Sequence, residues 1–102
     1  MTRDEIIAKL KESAPALRQH GVKRLAIFGS RARGDARADS DLDVLIDIGP
    51  EANLRGLALI GAIADVRRTI EAVTGITTQA EMESWIDPRF AERIADDLIE
   101  IF

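Results

Sequence analysis

Two short apolar runs set the frame for this chain. One is Leu25-Ala26-Ile27-Phe28. The other, after an interval rich in Gly, Arg, Ala and Asp, is Asp41-Leu42-Asp43-Val44-Leu45-Ile46. Both are short and bounded by turn-forming residues, so each predicts a buried strand. Gly29 to Ser40 reads as a loop with room for one short helical turn, and Gly49-Pro50 ends the second strand. Alternate side chains of a strand face opposite ways. Leu42 and Val44 would therefore anchor that strand in a core, leaving Asp41 and Asp43 together on its other face.

Helical patterns fill most of the remainder. Residues 2–20 read as a helix opened by a Thr2/Glu5 capping box, with Ile6, Leu10 and Leu17 on one face and Ile7 widening it. Pro15 should kink or divide it, and Gly21 should stop it. Residues 53–73 predict a second long helix with a core stripe of Leu57, Ile60, Ile63, Ala64, Val66, Ile70 and Val73, stopped by Gly75. Ile76-Thr77-Thr78-Gln79 is a strand candidate supported by its β-branched residues. Asp87-Pro88 opens a last helix, with Phe90, Ile94 and Leu98 inward, Ile101 close by, and Asp96, Asp97 and Glu100 on its solvated side. The expected architecture is α/β (α+β): a small mixed β-sheet flanked by about four helices, in a single domain over 1–102.

Composition narrows the function classes. The net charge is −4 and there are only four aromatics, three Phe and one Trp, so the chain is poorly built to bind nucleic acid. There is no cysteine, which excludes disulfides and thiolate metal sites. No apolar run approaches membrane-spanning length, and the charged start Met1-Thr2-Arg3-Asp4-Glu5 does not read as a signal peptide. The default location is the cytoplasm.

The chemistry gathers in Phe28-Gly29-Ser30 and Asp41-Leu42-Asp43. Residues i and i+2 of a strand share a face about 7 Å apart, so two carboxylates there can converge on one hard cation. Mg²⁺ is usually held by one or two carboxylates plus substrate phosphates. Gly29 permits a tight turn that brings backbone N–H groups close to a phosphate, and the Ser30 hydroxyl adds a further hydrogen bond. Arg31, Arg33 and Arg37 stand near enough in sequence to balance triphosphate charge; Arg31 points elsewhere if the loop turns helical. Outside this stretch, His20 reads as facing a helix end, Trp85 as core or partner surface, and Arg67 and Arg68 as surface.

Phe28-Gly29-Ser30-Arg31-Ala32-Arg33-Gly34-Asp35, followed by Asp39-Ser40-Asp41-Leu42-Asp43-Val44-Leu45-Ile46, closely resembles the signature of the minimal nucleotidyltransferase family, part of the DNA polymerase β superfamily. The motif is specific over residues 22–47 and only general in the C-terminal half. The resemblance implies the nucleotidyltransferase fold, a Mg²⁺ cofactor with ATP or another nucleoside triphosphate as substrate, and a phosphate contact from Ser30. It also implies metal binding by Asp41 and Asp43. Many members are antitoxins encoded beside a HEPN-domain ribonuclease toxin, and some transfer AMP from ATP onto it.

One departure matters. The family usually carries a third carboxylate on a later strand, and the matching region here is Gly75-Ile76-Thr77-Thr78-Gln79-Ala80-Glu81. The position falls on Thr77 or Gln79, neither of them an acid; Glu81 or Glu83 would substitute only if the strand shifted. Asp47 shares parity with Asp43 but lies about 13 Å further along. Two readings follow. One is an enzyme that moves a nucleotidyl group to a hydroxyl on a partner protein. The other is a nucleotide-binding antitoxin that acts by contact alone. A polymerase-like enzyme fits less well, for want of a second domain to grip a template. The base, the acceptor and the oligomeric state stay open.

Overall fold

The computed structural model describes residues 1–102. Helix α1 (Arg3–Glu12) opens on the expected capping box: the Glu5 N–H donates to Thr2 Oγ1 and the Thr2 N–H donates to Glu5 Oε1. Pro15 does divide the segment. A separate helix α2 (Ala14–Gln19) carries Pro15 in its first turn, where a missing N–H costs no helical bond. Gly21, at φ +96°, turns the chain into β1 (Val22–Phe28). A five-residue helix α3 (Gly29–Arg33) follows directly, then a loop, then β2 (Leu42–Ile48). After a 3-10 turn come the long helix α4 (Gly56–Thr74), β3 (Thr78–Met82), α5 (Pro88–Ile94) and the two-residue strand β4 (Ile99–Glu100).

The four strands form one mixed sheet in the order β3-β2-β1-β4. β1 runs antiparallel to β2 and β4, and β2 runs parallel to β3. Leu25, Ile27, Leu42, Val44 and Ile46 face one way and pack with Ile6, Leu10, Leu17, Val66 and Ile70 of α1, α2 and α4. The other face is covered in part by α5, where Ile94 and Phe90 pack with Ala26, Phe28 and Leu45. The Phe28 and Phe90 rings meet edge to face, 5.7 Å between centroids. The architecture is thus the expected mixed α/β one, with five helices.

Several local expectations are corrected. Leu57 and Ile60 are not core: they are 88% and 58% exposed. The inward line of α4 is Ala62, Val66, Ile70 and Thr74. At about 100° per residue, Leu57 lies on the opposite side of the helix from Val66. The strand expected over 76–79 is β3, displaced toward the C-terminus. Its inward positions are Thr78, Ala80 and Met82, a weakly apolar set that hides the two-residue period. The last helix ends at Ile94 rather than continuing through Leu98, which is 37% exposed. The tail instead satisfies the open edge of β1: the Ile101 N–H donates to the Leu25 carbonyl, and the Leu25 N–H donates to the Phe102 carbonyl. Glu100 is therefore a strand residue, and Asp97 belongs to a 3-10 turn. No helix is long and apolar enough to cross a membrane.

Candidate active site

The end of β1 and the start of β2 meet at one corner. Phe28 pairs with Asp43, which brings Gly29, the next residue, against the Asp43 side chain. Gly29 has φ +76°, and a Cβ there would stand 2.5 Å from Asp43 Oδ2. Only glycine accommodates both the backbone angle and the carboxylate. Ser30 follows in the first turn of α3, whose leading N–H groups have no intrahelical acceptor. Gly34, in the left-handed region, ends that helix.

Asp41 precedes the first paired residue of β2 rather than lying within the strand. Its Oδ2 accepts from Gln79 Nε2 at 3.3 Å. Gln79 pairs with Asp43 in the parallel ladder, so this bond brings the Asp41 carboxylate to the Asp43 side of the sheet. Burial, the charge of Asp41 and the charge of Glu81, in that order, raise the Asp43 carboxyl above its ordinary range; the Arg33 guanidinium pulls the other way. The corner thus carries more negative charge than its own residues neutralise.

The register also separates the two positions considered for a third acid, Thr77 and Gln79. Gln79 faces the two aspartates. Thr77 lies before β3, its carbonyl accepting from the Leu42 N–H. Glu81 is on the same side as Gln79 but pairs with Leu45, one step further from Asp41 along the face. Glu83 and Asp47 are both engaged by Arg24, at 3.0 and 3.4 Å. No group of three His, Cys, Asp or Glu side chains is placed to share a metal.

The arginines divide their work. Arg31 Nη2 donates to the carbonyls of Ser40 and Ala38 and its Nε also to Ser40, so it braces the loop before β2. Arg33 donates through Nη1 to Asp97 at 2.8 Å and through Nε to Asp35 at 3.2 Å. Arg67 and Arg68 pair within α4 with Glu71 and Asp65. Asp97 was missed as a member of this corner, since no local pattern links residues 64 positions apart. His20 caps α2 and Trp85 is 59% exposed; neither lies at the aspartates. A groove of about 780 Å³ lies at the opposite end of β1, against Gly21, Gly49, Ala58 and Ala62, and holds none of Gly29, Ser30, Arg33, Asp41 or Asp43.

A family model described as nucleotidyltransferase domain matches residues 6–101. A candidate protein adenylyltransferase of Methanocaldococcus jannaschii is 31% identical over 87 residues, 85% of this chain and 87% of that protein. The protein adenylyltransferase MntA of Thermococcus cleftensis is 28% identical over 102 residues, 99% of this chain and 97% of that protein. A solved structure of a candidate minimal nucleotidyltransferase superposes with a TM-score of 0.78 at 29% identity, covering 97% of this chain and 95% of the other. The fold recurs at 9% identity, TM-score 0.60, in a complex of a tri-AMPylated HEPN toxin of Shewanella oneidensis with its antitoxin, over 90% of this chain and 68% of that one. With the family model spanning nearly its whole length, this chain belongs to the nucleotidyltransferase domain family.

Proposed function

We propose that the chain transfers a nucleotidyl group, AMP from MgATP, to a hydroxyl on a partner protein. The partner in this reading is a HEPN-type toxin, and the chain is its antitoxin. The observation that carries the proposal is the corner where Gly29 gives way to the Asp43 carboxylate while Asp41 is drawn to the same side. Gly29 and Ser30 are the phosphate-binding turn, Arg33 a further nucleotide contact, and Asp41 and Asp43 the catalytic, metal-binding carboxylates. The names of the two relatives, both protein adenylyltransferases, support the donor and the protein acceptor. The Shewanella complex supports the choice of partner, by likeness of fold.

The donor set fits Mg²⁺. Two carboxylates, Asp41 just before β2 and Asp43 within it, lie on one side of the sheet. The Asp43 carboxyl, raised first by burial and then by the charges of Asp41 and Glu81, is one that a cation would stabilise in its ionised form. The chemistry such an ion supplies is neutralisation of the phosphates and of the charge that builds as pyrophosphate leaves. The chain itself orients the phosphates through the α3 turn and holds Asp43 on a paired strand and Asp41 by its bond from Gln79, so that little is left to organise once nucleotide arrives. Carboxylates on this side of the sheet, Asp43, Asp47 and Glu81, suit a protein acceptor better than nucleic acid. Use of a nucleoside triphosphate as substrate supports a cytoplasmic location in this reading.

Gln79 favours a second reading. An amide at the third-acid position supplies neither a third anionic metal ligand nor a base for the attacking hydroxyl, so the chain would bind nucleotide and neutralise its partner by contact. One experiment separates the two. A HEPN-type protein, the proposed partner, is mixed with this chain and with labelled MgATP, and label on the partner is followed by mass spectrometry. Transfer that disappears in Asp41→Asn with Asp43→Asn establishes the enzyme. A stable, silenced complex without label establishes the contact mechanism. Absence of any complex removes the partner assignment.

A further inference from the structure

We propose that Asp97 is a positioning residue for nucleotide: from the far end of the chain it holds the Arg33 guanidinium where the phosphates arrive. The inference rests on the nucleotide reading given above and adds a residue to it. Arg33 ends α3, the short helix that begins at Gly29-Ser30. Its Nη1 donates to Asp97 Oδ2 and its Nε to Asp35 Oδ2. Two of the three guanidinium nitrogens are thus gripped by carboxylates, and Nη2 has no acceptor within the protein. Because the guanidinium is a planar fork, fixing two nitrogens fixes the direction of the third. A long side chain already ordered does not lose its rotamer freedom when ligand binds.

The two carboxylates are not equivalent. Asp35 sits in the loop just after α3, with its side chain 62% exposed. Asp97 is 24% exposed and lies on the turn between α5 and β4. The segment after that turn is bonded to the backbone of β1 at Leu25. Asp97 is therefore the rigid anchor, and Asp35 follows the loop. Charge alone argues for the opposite effect. A carboxylate beside a polyanion repels it, so its removal should tighten nucleotide binding. Positioning requires that its removal weaken binding, and the sign of the change decides between the two.

The test is calorimetry of the full chain with Mg²⁺ and a non-hydrolysable ATP analogue. Asp97→Asn should weaken binding about fivefold, the scale of a half-exposed ion pair. In an Arg33→Ala background the same change should weaken it no further, and Asp97→Glu should recover part of the loss. Asp96→Asn, on the same turn but without an ion pair to Arg33, should not weaken binding. A second readout needs no nucleotide: the Arg33 Nη1–H resonance, from the nitrogen that donates to Asp97, should be sharp in the natural chain and broadened by solvent exchange in Asp97→Asn. Unchanged or tighter binding in Asp97→Asn would overturn the inference. So would equal weakening with and without Arg33, or a resonance that stays sharp. A natural chain that fails to bind the analogue at all would overturn the nucleotide reading itself, and Asp97's role with it.

Discussion

The Asp43 carboxylate occupies the space that a side chain on residue 29 would fill, with Oδ2 2.5 Å from where a Gly29 Cβ would stand. The glycine of the motif is thus a fitting surface for the aspartate as well as a turn.

Gly29→Ala should therefore damage fold and site together. The new methyl must adopt a positive φ and displace Asp43, a combined cost of about 2–4 kcal/mol. Thermal melting reports the loss of stability, and titration with MgATP should show binding reduced beyond detection. A variant as stable as the natural chain would mean that the corner is looser than the geometry says.

Asp43 itself should be a stability liability in the ligand-free protein. Its folded pKa is raised, chiefly by burial and by Asp41. The folded state then holds its proton more tightly than the unfolded chain does. The natural chain accordingly loses stability as pH climbs from the unfolded value through the folded one. Asp43→Asn removes that dependence, so the variant should melt about 2–5 °C higher at pH 7 without nucleotide, and the gap should close toward pH 4. Equal melting temperatures at both pH values would show that the charge is not strained.

Much of this was legible in the sequence, and for identifiable reasons. The capping box of α1, the division at Pro15, the Asp87-Pro88 start of α5 and the two apolar strands all rest on interactions within a few residues. The contact of Gly29 with Asp43 follows once two strands are placed side by side. What stayed hidden depends on distant partners. Leu57 and Ile60 look like core by periodicity, but the sheet takes up the opposite side of α4. β4 forms because β1 has an open edge, which Leu98 to Phe102 do not advertise. The placement of Gln79 rather than Thr77 beside Asp43 needed the register of a parallel ladder, and the link from Arg33 to Asp97 needed the turn after α5 to come back against α3.

Gln79→Asp should restore an acid beside Asp43. Label transfer to the partner from MgATP should rise, by up to about 10²-fold if a general base is what the natural chain lacks. The same change adds charge to a corner already rich in it, so the ligand-free variant should melt lower than the natural chain. Thr77→Asp, placed before β3, should change neither. Rapid transfer by the natural chain, with no gain from Gln79→Asp, would mean that Glu81 or a group on the partner supplies the base.

The central claim is that Asp41 and Asp43 make a metal-dependent nucleotide site beside Ser30, and calorimetry tests it most directly. The natural chain is titrated with a non-hydrolysable ATP analogue with and without Mg²⁺, and the titrations are repeated with the Asp41→Asn, Asp43→Asn double variant. The account predicts binding that requires Mg²⁺ in the natural chain and is lost in the folded double variant. Undiminished metal-dependent binding in that variant would contradict it.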